Sequence, residues 1–260
     1  EAYFENPALA LAPPRLSPAE FAARLRLPQE VLDSKDKEAI ALVLSDLSRP
    51  GRERWSAATE LYLRARLKNL PRTERSSIRG NLIEFQPRFV GITTIVANTR
   101  AIEYPAEFID TPIPYLTLIH EWEHYLYSME KKKRESFRAG SFNYSFNPAA
   151  MYYEEGIAMS AEWELARFMN DDEAAELTQI TLAFNPDAKT KNYILSLIAN
   201  RHLERSAYVS AVRASGRYSV GRVLEKTSGN LARNAGAAGG VGAITYAYFK
   251  GGCWLFGLVF

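Results

Sequence analysis

The sequence predicts a mainly helical α+β fold, on three observations. Apolar residues recur at helical spacing from Ser17 to Leu70 and again beyond Pro148. Between those stretches, from Ile78 to Tyr104, β-branched and aromatic residues gather between turn signals, the pattern of a small sheet. The 260 residues are 47% hydrophobic and 24% charged, an ordinary globular composition with enough apolar mass for one large packed domain or two small ones.

Residues 1–16, rich in alanine and proline, form an irregular lead-in. Ser17-Pro18-Ala19-Glu20 starts a helix, with a serine cap, proline at the first position and glutamate three residues after the cap. A second helix spans Pro28 to Leu47 and stops at Pro50-Gly51; a third spans Arg52 to Leu70 and stops at Pro71. Residues 1–77 then read as a helical segment that braces a main domain over 78–260. Two or three strands are expected among Leu82–Phe85, Phe89–Val96 and Ala101–Tyr104, and Pro112 and Pro114 introduce the next helix. Further helices follow at Pro148–Met169, Asp172–Phe184 and, as one long element, Asp187–Arg213; a short one is expected at Ser219–Lys226.

The chemistry-bearing stretch is Thr117–Leu126, which contains His120-Glu121-Trp122-Glu123-His124. On a helix the two histidines lie one turn apart on one face, within reach of a single ion. Glu121 is rotated by about 100° from His120, so it stands beside the ion without binding it. Zinc brings the pKa of a coordinated water to near neutrality, and an adjacent carboxylate can take that proton and later deliver it to a leaving group. Two of the three histidines in the chain belong to this motif. Glu123, in the apolar part of the helix, needs a partner or water.

Downstream, Glu154-Glu155-Gly156-Ile157-Ala158 opens a second candidate. With the His-Glu-x-x-His stretch, it resembles the gluzincin branch of the zincin metallopeptidases, which supply a third ligand as a glutamate within Glu-Gly-x-Ala on a later helix. The resemblance covers Thr111 to Glu164. It implies a zincin-like single catalytic domain, one zinc ion on His120, His124 and Glu155, and Glu121 as general base and acid. Glu154 is the rival ligand, because neighbouring helical carboxylates point about 100° apart. Small residues at Gly156 and Ala158 would let this helix approach the metal helix. The resemblance also implies an edge strand at Gly91–Val96 to hold an extended peptide, and His202 or Tyr208 on a late helix to steady an oxyanion.

A formal charge of +2 gives no case for nucleic acid or an anionic membrane as partner. The expected partner is a peptide or protein substrate; the polar-aromatic loop Arg138–Asn147 reads first as ordinary packing, with a cleft rim on which Tyr144 or Tyr152 faces substrate as the lesser alternative. The single cysteine, Cys253, excludes an internal disulfide framework and reads as a small buried hydrophobe. The apolar end from Tyr246 to Phe260 is broken by glycines; it reads as a tail docked on the protein, with membrane contact the lesser alternative. The chain opens at Glu1 without methionine, as expected of a mature secreted or periplasmic form or of a trimmed chain. Two rivals to a peptidase are a zinc-binding scaffold without catalysis and a helical interaction protein without metal.

Overall fold

The computed structural model describes residues 17–25, 32–84, 86–90, 96–97, 101–135, 148–184, 186 and 188–215. The first helix, α1 (Pro18–Arg24), begins with the expected capping box: Glu20 N–H donates to Ser17 Oγ, and Ser17 N–H donates to the Glu20 carboxylate. Helix α2 (Ser34–Leu47) is capped by Asp33, whose carboxylate accepts the Asp36 N–H. Helix α3 (Glu53–Lys68) follows the turn at Gly51, where φ of 80° suits a residue without a side chain.

The α+β expectation is overturned: the architecture is helical, and the described core residues lie on helices and the turns between them. Leu82 to Glu84, expected as strand, form the last turn of α4 (Arg72–Glu84). A short apolar run does not separate strand from helix by itself. Here the helix is anchored on α2 by buried Ile78 and by Arg79, which reaches Asp33 and Asp36, and it propagates onward from there. Backbone pairing is limited to three short segments, β1 (Gln86–Val90), β2 (Val96–Ala97) and β3 (Ala101–Pro105), in the order β1-β3-β2. β1 pairs with β3 in parallel, from Gln86 opposite Ala101 to Val90 opposite Pro105, and β2 pairs with β3 antiparallel. Most of the expected edge strand at Gly91–Val96 lies outside the described residues.

Helix α4 runs through the expected boundary at 77/78, and a single core cluster draws on both sides of it, from Phe21, Trp55 and Leu63 to Trp122, Met159 and Leu197. Helix α5 (Ile113–Glu135) carries the histidine pair. Thr111 starts it: its hydroxyl donates to Phe108 O and accepts the Ile113 N–H. Helix α6 (Pro148–Ala166) packs along α5, and α7 (Asp171–Ala183) opens on an Asn170–Glu173 capping box. The expected long helix from Asp187 to Arg213 is two: α8 (Ala188–Asn200) and α9 (Arg205–Ala214). Asn200 turns its amide back onto Ser196 O, Leu203 N–H bonds to Asn200 O, and Trp163 Nε1 donates to Leu203 O. These bonds satisfy the backbone at the break, so α9 folds back onto α8 and reaches α6.

The expected loop at Arg138–Asn147, the helix at Ser219–Lys226, Cys253 and the apolar tail lie outside the described residues. No helix among the described residues is long and apolar enough to cross a membrane.

Candidate metal centre

The α5 helix is seated by the residue that interrupts its apolar motif. Glu123 is 3% exposed and accepts hydrogen bonds from Arg66 Nε at 2.7 Å, Arg66 Nη2 at 2.9 Å and the Tyr62 hydroxyl at 2.7 Å. All three donors sit on α3, so the charge in the spacer position is a buried anchor between α3 and α5. Burial and the Glu123 carboxylate together push the Tyr62 hydroxyl pKa well up. Trp122 fills the core beside it, fully buried.

With α5 so oriented, His120 and His124 turn toward α6. Their Nε2 atoms stand 3.1 Å apart, and Glu155 Oε2 stands 3.5 Å from each. A tetrahedral ion with bonds of about 2.0–2.1 Å separates its ligand atoms by about 3.3 Å. The three donor atoms form a triangle of that size. Glu155 Oε2 is buried, and its polar neighbours are the two Nε2 atoms at 3.5 Å, which places the oxygen as a ligand to anything held between the rings. His120, His124 and Glu155 therefore make a set that could hold a metal ion.

The far side of each imidazole is held by a carboxylate. His120 Nδ1 lies 3.3 Å from Glu162 Oε2, and His124 Nδ1 lies 2.9 Å from Glu154 Oε1. In the neutral rings, protons on Nδ1 donated to these oxygens leave both Nε2 lone pairs directed at the centre, the tautomer that ligation through Nε2 requires. Glu154, the rival ligand, is thus the partner of His124, and Glu155 alone of the two faces both rings. Because His120 meets Glu162 while His124 meets Glu154, α5 and α6 run antiparallel.

No protein-family model, curated protein or solved structure matches this chain. The chemistry of the centre then rests on its own geometry.

The electrostatics suit a cation. Burial opposes a charged His120, but the Glu162 carboxylate and hydrogen bonding to Glu155 and Glu162 overcome it and raise the pKa to about 9. His124 is likewise raised well above its ordinary value, against burial, by its bonds to Glu154 and Glu155. Burial would raise Glu155, yet the two imidazoles hold it below the usual carboxylate range. These groups stabilise positive charge at one point, and a divalent ion competes with protons for it. The His124 side chain is 22% exposed against 3% for His120, so His124 is the more solvent-accessible of the two rings. Glu121 is half-buried, follows His120 on α5, and its charge acts on His124.

The remaining expected site residues fall elsewhere. His202 lies in the turn between α8 and α9; burial first and then Arg201 lower its pKa, and its charged neighbours are Arg201, Asp171 and Arg167. Tyr208 is fully buried on α9, its hydroxyl has no hydrogen-bond partner among the described residues, and burial and Glu162 raise its pKa. Gly156 serves α9 rather than the approach to α5: a Cβ there would run into Arg213 Nη2. Arg213 stacks on the Tyr152 ring and donates to Tyr152 O at 2.6 Å. Glu162 was missed by sequence reasoning, although its place two turns after Glu155 on one helical face is a readable signal. Tyr193, which donates to Glu162 from α8, had none.

Proposed function

We propose that this chain is a zinc-dependent peptidase resembling the gluzincins. The observation that carries the reading is the convergence of His120 Nε2, His124 Nε2 and Glu155 Oε2 from two helices, with Glu121 next to His120 in sequence. Two imidazoles and one carboxylate suit zinc among the common divalent ions. When bound, zinc supplies Lewis acidity toward a carbonyl oxygen and acidifies a water. His120, His124 and Glu155 hold the ion, while Glu162 and Glu154 keep the two rings turned toward it. The Glu121 carboxylate takes a proton from the attacking water and delivers it to the leaving-group nitrogen. A peptide reaches the centre from the His124 side, where the exposure lies.

Glu121→Gln keeps the ligands and removes the base. The expected outcome is full zinc content with hydrolysis of a broad peptide library reduced by about 10²–10⁴-fold. Retention of wild-type turnover by Glu121→Gln on a peptide the protein cuts overturns the mechanism. A second reading, a zinc-binding scaffold without hydrolysis, is favoured by one observation. Neither candidate for steadying an oxyanion shows a contact with the cluster among the described residues: Tyr208 is fully buried, and the charged groups acting on His202 are Arg201, Asp171 and Arg167. Bound zinc with no cleavage across the same library supports that second reading.

A further inference from the structure

Behind the metal centre a buried relay reaches α8, a helix that the proposed chemistry leaves unused. Glu162 is 1% exposed and lies on the same face of α6 as Glu155. Its Oε2 meets His120 Nδ1 at 3.3 Å, and its Oε1 accepts the Tyr193 hydroxyl. Tyr193 is itself buried in the core cluster. An isolated carboxylate at that depth is strongly unfavourable unless it is neutralised and fully hydrogen-bonded. An apolar side chain would pack α6 against α8 without that cost, so packing alone does not explain the residue. What the carboxylate adds is directional: an acceptor at a defined point behind one imidazole, with its second oxygen pinned by a hydroxyl from another helix.

We propose that Glu162 and Tyr193 are positioning residues for the metal ligand His120. Glu162 selects the Nδ1–H tautomer and sets the ring rotation, and Tyr193 fixes the carboxylate that does so. The placement of α8 thereby sets metal affinity. The proposal rests on the metal-binding part of the proposed function and not on peptide hydrolysis.

The test uses the full chain and its Glu162→Gln and Tyr193→Phe variants, each titrated with cobalt(II). Affinity is read by chelator competition, ligand geometry by the visible d–d absorption, and folding by far-UV circular dichroism and thermal melting of the metal-free proteins. Glu162→Gln is expected to bind cobalt about 10–100-fold more weakly, with altered band positions. Tyr193→Phe removes one oxygen atom; a loss of about fivefold, the worth of one hydrogen bond, is expected with a smaller spectral change. Wild-type affinity and spectrum in both variants overturn the proposal, even where thermal stability falls, since that pattern marks a structural role only. Should Glu162→Gln fail to fold, Tyr193→Phe decides alone. A wild-type chain that takes up no cobalt overturns the metal centre itself and this inference with it. Cobalt binding without peptide cleavage overturns only the peptidase reading and leaves the relay to be judged by the variants.

Discussion

Arg66→Met removes the charged partner of Glu123 while keeping a long aliphatic side chain at that position of α3. Glu123, 3% exposed, would then keep one hydrogen bond, from the Tyr62 hydroxyl, in place of three. Removing one member of a buried ion pair costs about 3–5 kcal/mol, because the other charge stays buried. Arg66 is 34% exposed, so water reaches part of the vacated space, and screening reduces the figure to about 2–3 kcal/mol. For a chain of this size, that corresponds to a melting temperature lower by about 4–12 °C. Urea unfolding of the metal-free protein measures it. The double variant Arg66→Met/Glu123→Met removes both charges and should recover part of the loss, so the two single effects should not add. A cost below about 0.5 kcal/mol for Arg66→Met, the range of ordinary surface changes, refutes the anchor. Strict additivity of the two substitutions refutes it as well.

Zinc at a thousandfold excess over its dissociation constant should stabilise the wild type by about 4 kcal/mol. Glu155→Gln should lose most of the resulting thermal shift, and an undiminished shift removes Glu155 from the ligand set. In the metal-free protein the cluster makes stability depend on pH. His120 is raised from 6.5 to about 9 on folding, so its contribution is complete below pH 6.5 and fades as pH rises toward about 9. Glu155 is lowered from 4.5, so its contribution is complete above pH 4.5 and fades in more acid solution. Denaturation midpoints should therefore be highest between pH 4.5 and 6.5, and a His120→Ala variant should flatten the alkaline decline. Gly156→Ala gains about 1 kcal/mol of helix propensity but displaces Arg213 from Tyr152 O, a charged hydrogen bond worth about 1.5–3 kcal/mol. A net loss of about 1 kcal/mol by chemical denaturation is expected; a net gain would show that Arg213 relocates freely.

Much of the local structure was legible in the chain. The Ser17–Glu20 capping box, the stop after Leu47 and the helix bearing His120 and His124 follow from side chains a few residues apart. The spacing that puts two imidazoles on one face is a property of the helix itself. Where the reading failed, the deciding contact came from afar. Leu82 and Ile83 have the composition of a strand, yet α4 continues through them from its anchor on α2. The break after Asn200 has Asn200 itself as its local sign, and it is stabilised in part from afar, by Trp163 bonding to Leu203 O. The sequence also pointed to Glu123 as a charge in need of a partner, without showing that Arg66 and Tyr62 would supply it.

What the sequence alone determined, then, is the pair of imidazoles, the carboxylate that follows the first of them, and a short run of acids downstream as candidates to meet them. Only the tertiary structure decided that Glu155 faces both rings, that Glu154 and Glu162 stand behind them, and that Tyr193 holds Glu162 in turn. The physical reason is the difference between geometry within a helix and geometry between helices. Side chains on one helix are placed by its fixed pitch. A carboxylate arriving from α6 is placed by how that helix is rotated and shifted against α5, which depends on every residue packed between and around them.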